Sequence, residues 1–243
     1  MTNNKTFNNL SLLIDLGINE FLDSSPKKYY INDDNDDADK LSEVREIKTS
    51  SLDSIKNLSE LKDAITNFND CRLKNNSTNT VFADGNSQSE IMIIGDAPSK
   101  KDDIKGIPFA DQAGQLLDKM LTSINLNRTN VYIANIIPWT TPRDRPPTMQ
   151  EIIMLIPFIQ KHIEIIRPKI LILLGNMSTK SLLMSDDGIM KLRGKWHEYS
   201  SYGLANPIKT RAMFHPNFLL KSPSYKKLAW EDLLIIQKKL KSN

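Results

Sequence analysis

Ile170-Leu171-Ile172-Leu173-Leu174-Gly175 is an unbroken apolar run closed by a glycine. It has the length of a strand. Its lack of polar alternation implies that both faces are covered, as in a parallel sheet flanked by helices. Ile91-Met92-Ile93-Ile94-Gly95 and Val131-Tyr132-Ile133-Ala134-Asn135 have the same character, and Thr210 to Phe214 supplies a fourth stretch. Between them lie helical spacings over Ala113–Ile124, Thr148–Ile166 and Asn176–Met184, and a last one follows over Ser222–Leu240. Apolar strands alternating with helices predict an α/β chain, a three-layer α/β/α sandwich around a four-stranded parallel sheet. Ligands bind such sheets beyond the carboxyl ends of the strands. The segments to read for chemistry are therefore 95–99, 135–139, 175–176 and 215–220.

Upstream of this region the character changes. Residues 10–22 (LSLLIDLGINEFL) have helical apolar spacing, and residues 31–40 (INDDNDDADK) form an acidic stretch that cannot bury a core. Helical spacing returns over 50–68. The expected organisation is a helical, acidic, flexible extension over 1–50 and one α/β domain over 51–243. The N-terminal helix is either a docking element for a protein partner or a structural addition. Charge follows the same division: residues 1–70 carry 8 Lys/Arg against 14 Asp/Glu, and residues 71–243 carry 24 against 15. A basic C-terminal part suits a polyanionic partner such as nucleic acid. No stretch reaches the ~18 apolar residues of a membrane helix, and the N-terminus does not read as a secretory signal. A single cysteine, Cys71, excludes an intrachain disulfide and suits a cytoplasmic setting. Richness in Asn, Lys and Ile suggests an A·T-biased, bacterial genome, and a monomer is the expected state.

Five stretches carry a more specific signal: GDAPSKKDDIKGIPFADQAGQLLDKML (95–121), VYIANIIPWTTPRDRPPTMQEI (131–152), PFIQKHIEIIRPKILILLG (157–175), KLRGKW (191–196) and HPNFLLKSPSYKKLAWEDL (215–233). In this order they resemble a uracil-DNA glycosylase of the family 4 type, and the resemblance covers residues 91–240. It implies a DNA-repair, base-excision enzyme that flips uracil out of damaged DNA and hydrolyses its N-glycosidic bond. Such an enzyme needs a carboxylate to favour the cationic sugar and position water, and a donor to favour the leaving anion.

Residue by residue, the resemblance assigns Asp96 the carboxylate role, one methylene shorter than the family's usual Glu. It gives His215 the donor role toward uracil O2. Gly95, Ala97 and Pro98 form the pocket loop, Phe109 is the stacking platform, and Asn135 reads the uracil edge. Asp111 is placed to cap the helix that follows. Leu219 and Leu220 are the apolar wedge that fills the vacated space, Leu220 the weaker candidate of the two. Lys221, Arg143, Arg145 and Arg193 are placed near phosphates. Taken alone, without the resemblance, Asp96 reads first as a turn residue before proline, and Asn135 as a strand-end amide bonded to backbone.

The resemblance also associates many members with a [4Fe–4S] cluster on four cysteines. At those positions this chain carries Phe68, Cys71, Trp139 and Leu155, so Cys71 is the one remnant of the ligand set. The expectation is therefore no metal and no cofactor, with the replacing side chains forming an apolar plug. Because Asp96, Ser99 and Asp111 also depart from the family pattern, a second reading stands beside the enzyme: a catalytically weakened, DNA-binding module in replication or repair. An unrelated nucleotide-binding enzyme is disfavoured, since no glycine-rich phosphate loop follows any strand.

Overall fold

The computed structural model describes residues 52–241. The amphipathic stretch at 10–22 and the acidic stretch at 31–40 lie outside the described residues. The helices are α1 (Leu58–Asn67), α2 (Arg72–Asn75), α3 (Lys100–Lys105), α4 (Gln112–Thr122), α5 (Met149–Ile166), α6 (Asn176–Leu183), α7 (Ile189–Leu192), α8 (Pro216–Lys221) and α9 (Lys226–Lys241). The strands are β1 (Asp84–Gly85), β2 (Ile91–Gly95), β3 (Tyr132–Asn135), β4 (Ile170–Leu174), β5 (Trp196–Tyr199) and β6 (Ile208–Met213).

They form one six-stranded sheet in the order β1-β3-β2-β4-β6-β5. The central pairs β3–β2, β2–β4 and β4–β6 are parallel, whereas the edge strands β1 and β5 run antiparallel to their neighbours. This corrects the expected four-stranded parallel sheet to a mixed sheet of six strands. The reason is local. β1 is two residues of polar character, and β5, Trp-His-Glu-Tyr, buries fully only Tyr199. Neither carries the continuous apolar run of a central strand.

Alternation along the central strands builds two cores. Ile91, Ile93, Ile133, Ile170, Ile172 and Leu174 pack with Leu117 and Leu121 of α4 and with Leu233 and Ile236 of α9. Residues between them, such as Met92, Ile94, Leu171 and Leu173, are equally buried and face the other side. On that side Tyr132 donates or accepts a 3.0 Å hydrogen bond at His162 Nε2 of α5. Side-chain caps set the helix starts: Ser99 and Asp102 form a capping box on α3, Asp111 caps α4 as expected, and Thr148 and Glu151 form a box on α5.

Candidate functional site

The carboxyl ends of β2, β3, β4 and β6 place the predicted residues along one edge of the sheet. Gly95 closes β2 beside Asn135, which closes β3, and the two are register partners. The gap at Gly95 is required: a Cβ there would stand 2.5 Å from the Phe109 ring and 2.6 Å from Asn135 Oδ1. Phe109 and His215 in turn lie ring on ring, with centroids 5.3 Å apart and planes 23° from parallel. Gly95, Phe109, Asn135 and His215 thus converge on one point. Pro98 is buried and Ala97 half-buried in the loop between β2 and α3.

Asn135 is 7% exposed, and among the described residues its Nδ2 has no hydrogen-bond partner. A buried amide donor left open costs about 1–3 kcal/mol. Such a group is free to donate to a ligand oxygen brought against Phe109.

Phe109 sits in a left-handed backbone conformation, φ 54°. That geometry costs a non-glycine residue roughly 1–2 kcal/mol and persists only where the surroundings hold it. The holders are visible. Arg128 donates to Phe109 O at 2.6 Å and to Pro108 O at 3.1 Å. Asp102 Oδ1 accepts the Ala110 N–H at 2.6 Å. Gly114 leaves room for the Phe109 carbonyl, which a Cβ at that position would strike.

Asp96 is half-buried and accepts the Ser178 N–H at 2.8 Å, at the start of α6. Gly175, with φ +114°, has no Cβ because one would run into the Asp96 carboxylate. Burial raises the Asp96 pKa above the ordinary carboxylate value, and the nearby His215 and the Ser178 N–H pull it back in part.

His215 is the N-cap of α8, and its Nδ1 accepts the Asn217 N–H at 3.1 Å. Burial lowers its pKa, with Asp96, Asp111 and Asp102 opposing. A neutral ring whose Nδ1 is an acceptor carries its proton on Nε2. The site therefore offers one N–H donor from His215, one from Asn135, an aromatic platform and a carboxylate.

The predicted DNA-contacting residues are not all brought to this edge. Leu219 is 1% exposed and belongs to the core with Phe214 and Leu233, because α8 turns that face inward. This corrects its role as a wedge. Leu220 and Lys221, on the outer face of α8, are exposed, as is Phe218. Arg193 is also corrected. Its Nε and Nη2 both donate to Asp232 Oδ2, and Nη2 donates to Leu228 O as well, so the guanidinium holds α9. Arg145 makes a two-pronged pair with Glu151 on the surface, and Arg143 is exposed in the short turn after β3. Gly175 lies in the strand-end segment 175–176 singled out from the sequence, whereas Ser178 and Arg128 were not anticipated; Ser178 follows that glycine by three residues, and Arg128 lies in a polar loop with no pattern of its own.

A sequence model of the Uracil DNA glycosylase superfamily matches residues 82–234. A Type-4 uracil-DNA glycosylase of Saccharolobus solfataricus is 36% identical over 191 residues, 76% of this chain and 88% of the relative. That of Archaeoglobus fulgidus is 32% identical over 173 residues, 70% of this chain and 86% of the relative. A Thermotoga maritima protein of the same name is 33% identical over 175 residues, 67% and 84% of the two chains.

These relatives overturn the expectation that the protein uses no cofactor. They are type-4 enzymes, the branch with which the resemblance associates an iron–sulfur cluster. The four positions that would carry the cluster's cysteines hold other side chains in all but one case. Cys71 is buried before α2 and Phe68 packs edge-on against Phe158 with centroids 5.0 Å apart, while Trp139 and Leu155 are fully buried. Of the four side chains only Cys71 carries sulfur; a phenyl ring, an indole and an isobutyl group offer iron no ligand. The residues present do not fit a four-cysteine cluster.

Proposed function

Since the chain belongs to the uracil-DNA glycosylase superfamily and is similar to its type-4 members, we propose that it acts in DNA repair as a hydrolase that releases uracil from DNA and leaves an abasic site. The observation that carries this reading is the unpartnered Asn135 amide, buried beside Phe109 and close to His215. Uracil presents a flat face, two carbonyls and an N–H, and each has a counterpart here.

The flipped base stacks on Phe109. Asn135 Nδ2 donates to the base's O4, and Oδ1 accepts its N3–H. Cytosine reverses both polarities at those atoms and leaves two buried mismatches. His215 Nε2–H faces O2. As the bond between N1 and C1′ breaks, its electron pair moves onto the base, and the neutral imidazole stabilises that anion without giving up its proton. Asp96 stabilises the cationic sugar, orients a water toward C1′ and takes its proton. Its raised pKa suits a base, and Ser178 N–H and Gly175 fix its position.

Leu220 enters the stack in place of the base, and Lys221, Arg143 and Arg145 contact phosphates. Residues 51–243 form the catalytic domain, and 1–50 are an extension that serves a protein partner. The enzyme works as a monomer in the cytoplasm of a bacterium. Composition supports that source, whereas the relatives are largely archaeal.

The test is incubation with an oligonucleotide bearing one uracil, followed by alkali. Strand breaks at uracil, with free uracil in the supernatant, are expected. Binding without breaks would instead support the DNA-binding module.

A further inference from the structure

We infer that Arg128 is a positioning residue for uracil excision, acting through the Phe109 platform. The inference rests on the reading of Phe109 as the surface on which the base stacks.

Arg128 lies in the loop before β3, half-buried and away from the substrate edge. Its guanidinium reaches four acceptors. Nη2 donates to Phe109 O at 2.6 Å and Nη1 to Pro108 O at 3.1 Å. Nη1 also pairs with Asp84 of β1 at 2.7 Å, and Nε pairs with Asp118 of α4 at 2.8 Å. The two carboxylates belong to the sheet edge and to a core helix, so they tie the guanidinium to rigid elements. The guanidinium in turn fixes two successive carbonyls of the platform loop.

This arrangement answers a specific mechanical need. Phe109 holds a positive φ, 54°, that its side chain disfavours. Released, the residue would relax toward ordinary backbone and swing its ring out of the position that Gly95 leaves open for it. The fork geometry of arginine can hold two adjacent carbonyls and two carboxylates together; an ammonium on a flexible stem cannot. Misplacing a binding surface by about 1 Å costs on the order of 10²-fold in rate.

The experiment is a double-mutant cycle on single-turnover uracil release with wild type, Arg128→Met, Phe109→Ala and the double variant. Met retains the stem's volume. Asp84 and Asp118, whose side chains are 33% and 47% exposed, can be rehydrated by solvent when the guanidinium is removed. Arg128→Met is expected to fall roughly 10²-fold and to add less than about twofold once Phe109 is already Ala. Arg128→Lys, which keeps a charge for the two acids, is expected to remain folded and slow. Amide exchange across 106–114 is expected to speed up in both Arg128 variants, a readout independent of turnover.

Full activity in Arg128→Lys, an equal loss from Arg128→Met in both Phe109 backgrounds, or unchanged exchange across 106–114 would overturn the inference. An inactive wild type whose loop exchange still responds to Arg128 would overturn the uracil reading and leave the clamp standing.

Discussion

Two buried polar regions of this protein differ in one respect. At α9, Asp232 is fully buried and receives four hydrogen bonds, from Nε and Nη2 of Arg211 and from Nε and Nη2 of Arg193. Each carboxylate oxygen is filled. Arg211 also lies over the Trp196 ring and Arg193 over Phe214. At the sheet edge, Asn135 is buried with an open donor, Phe109 holds a disfavoured backbone and Asp96 is ionised only against burial. The satisfied network fastens α9 to the sheet. The unsatisfied set stores free energy that a ligand recovers on binding. Buried polarity alone therefore does not mark a site, and neither does an open valence, since Lys180 Nζ and Tyr199 OH are open too; what sets Asn135 apart is that its open donor stands beside an aromatic platform.

Breaking the satisfied region has the largest expected effect. Asp232→Ala leaves Arg211 buried and unpaired and is expected to cost roughly 3–5 kcal/mol of stability, while uracil release per folded molecule stays at the wild-type rate. Denaturant unfolding beside the activity assay checks both halves, and an unchanged unfolding midpoint would deny the network its structural role. In the open region the order reverses. His215→Ala is expected to lower single-turnover release about 10²–10³-fold with its thermal midpoint close to wild type.

Acid separates the regions by chemistry. The folded protein holds the Asp96 proton more tightly than the unfolded chain does, so Asp96 opposes folding as pH rises through its folded pKa. With Asp96 in the proposed role of base, activity is expected to fade as pH falls through that value, about tenfold per pH unit. Asp96→Asn should be slow and lack this limb; a pH–rate profile that keeps it would assign the limb elsewhere.

His162, sealed against Phe82 and Tyr132, behaves differently. Burial lowers its pKa from 6.5 to about 3, so the unfolded chain takes up a proton first. Its share of stability is present above 6.5 and is lost as pH falls from there toward about 3. Thermal scans of His162→Phe across that window should show a shallower acid decline. The smallest effect belongs to the surface: Lys221→Ala is expected to reduce the salt slope of DNA binding by roughly one.

The four central strands were legible because parallel strands buried on both faces are continuously apolar, and Ile91–Gly95 and Ile170–Leu174 carry that pattern without interruption. β1 and β5 were not, because an edge strand of two residues or of mixed polarity has no such pattern. Gly95 and Asn135 were legible as strand ends, and Asp111 as a helix cap. The side-chain partners were not. Nothing in KLRGKW shows that Arg193 is claimed by Asp232, 39 residues later. Nor does the HPNFLLK stretch reveal that α8 turns Leu219 inward and Leu220 outward, because one turn of helix decides it.

The most direct test compares wild type with Asn135→Ala in single-turnover release from otherwise identical oligonucleotides bearing uracil or cytosine, with thermal midpoints in parallel. Wild type is expected to release uracil and spare cytosine. Asn135→Ala is expected to lose about 10²-fold or more on uracil, with a midpoint that holds or rises, since the substitution removes an unsatisfied buried donor. A variant that keeps the wild-type uracil rate, or loses it only in step with a lower midpoint, would contradict the claim that this open amide reads the base.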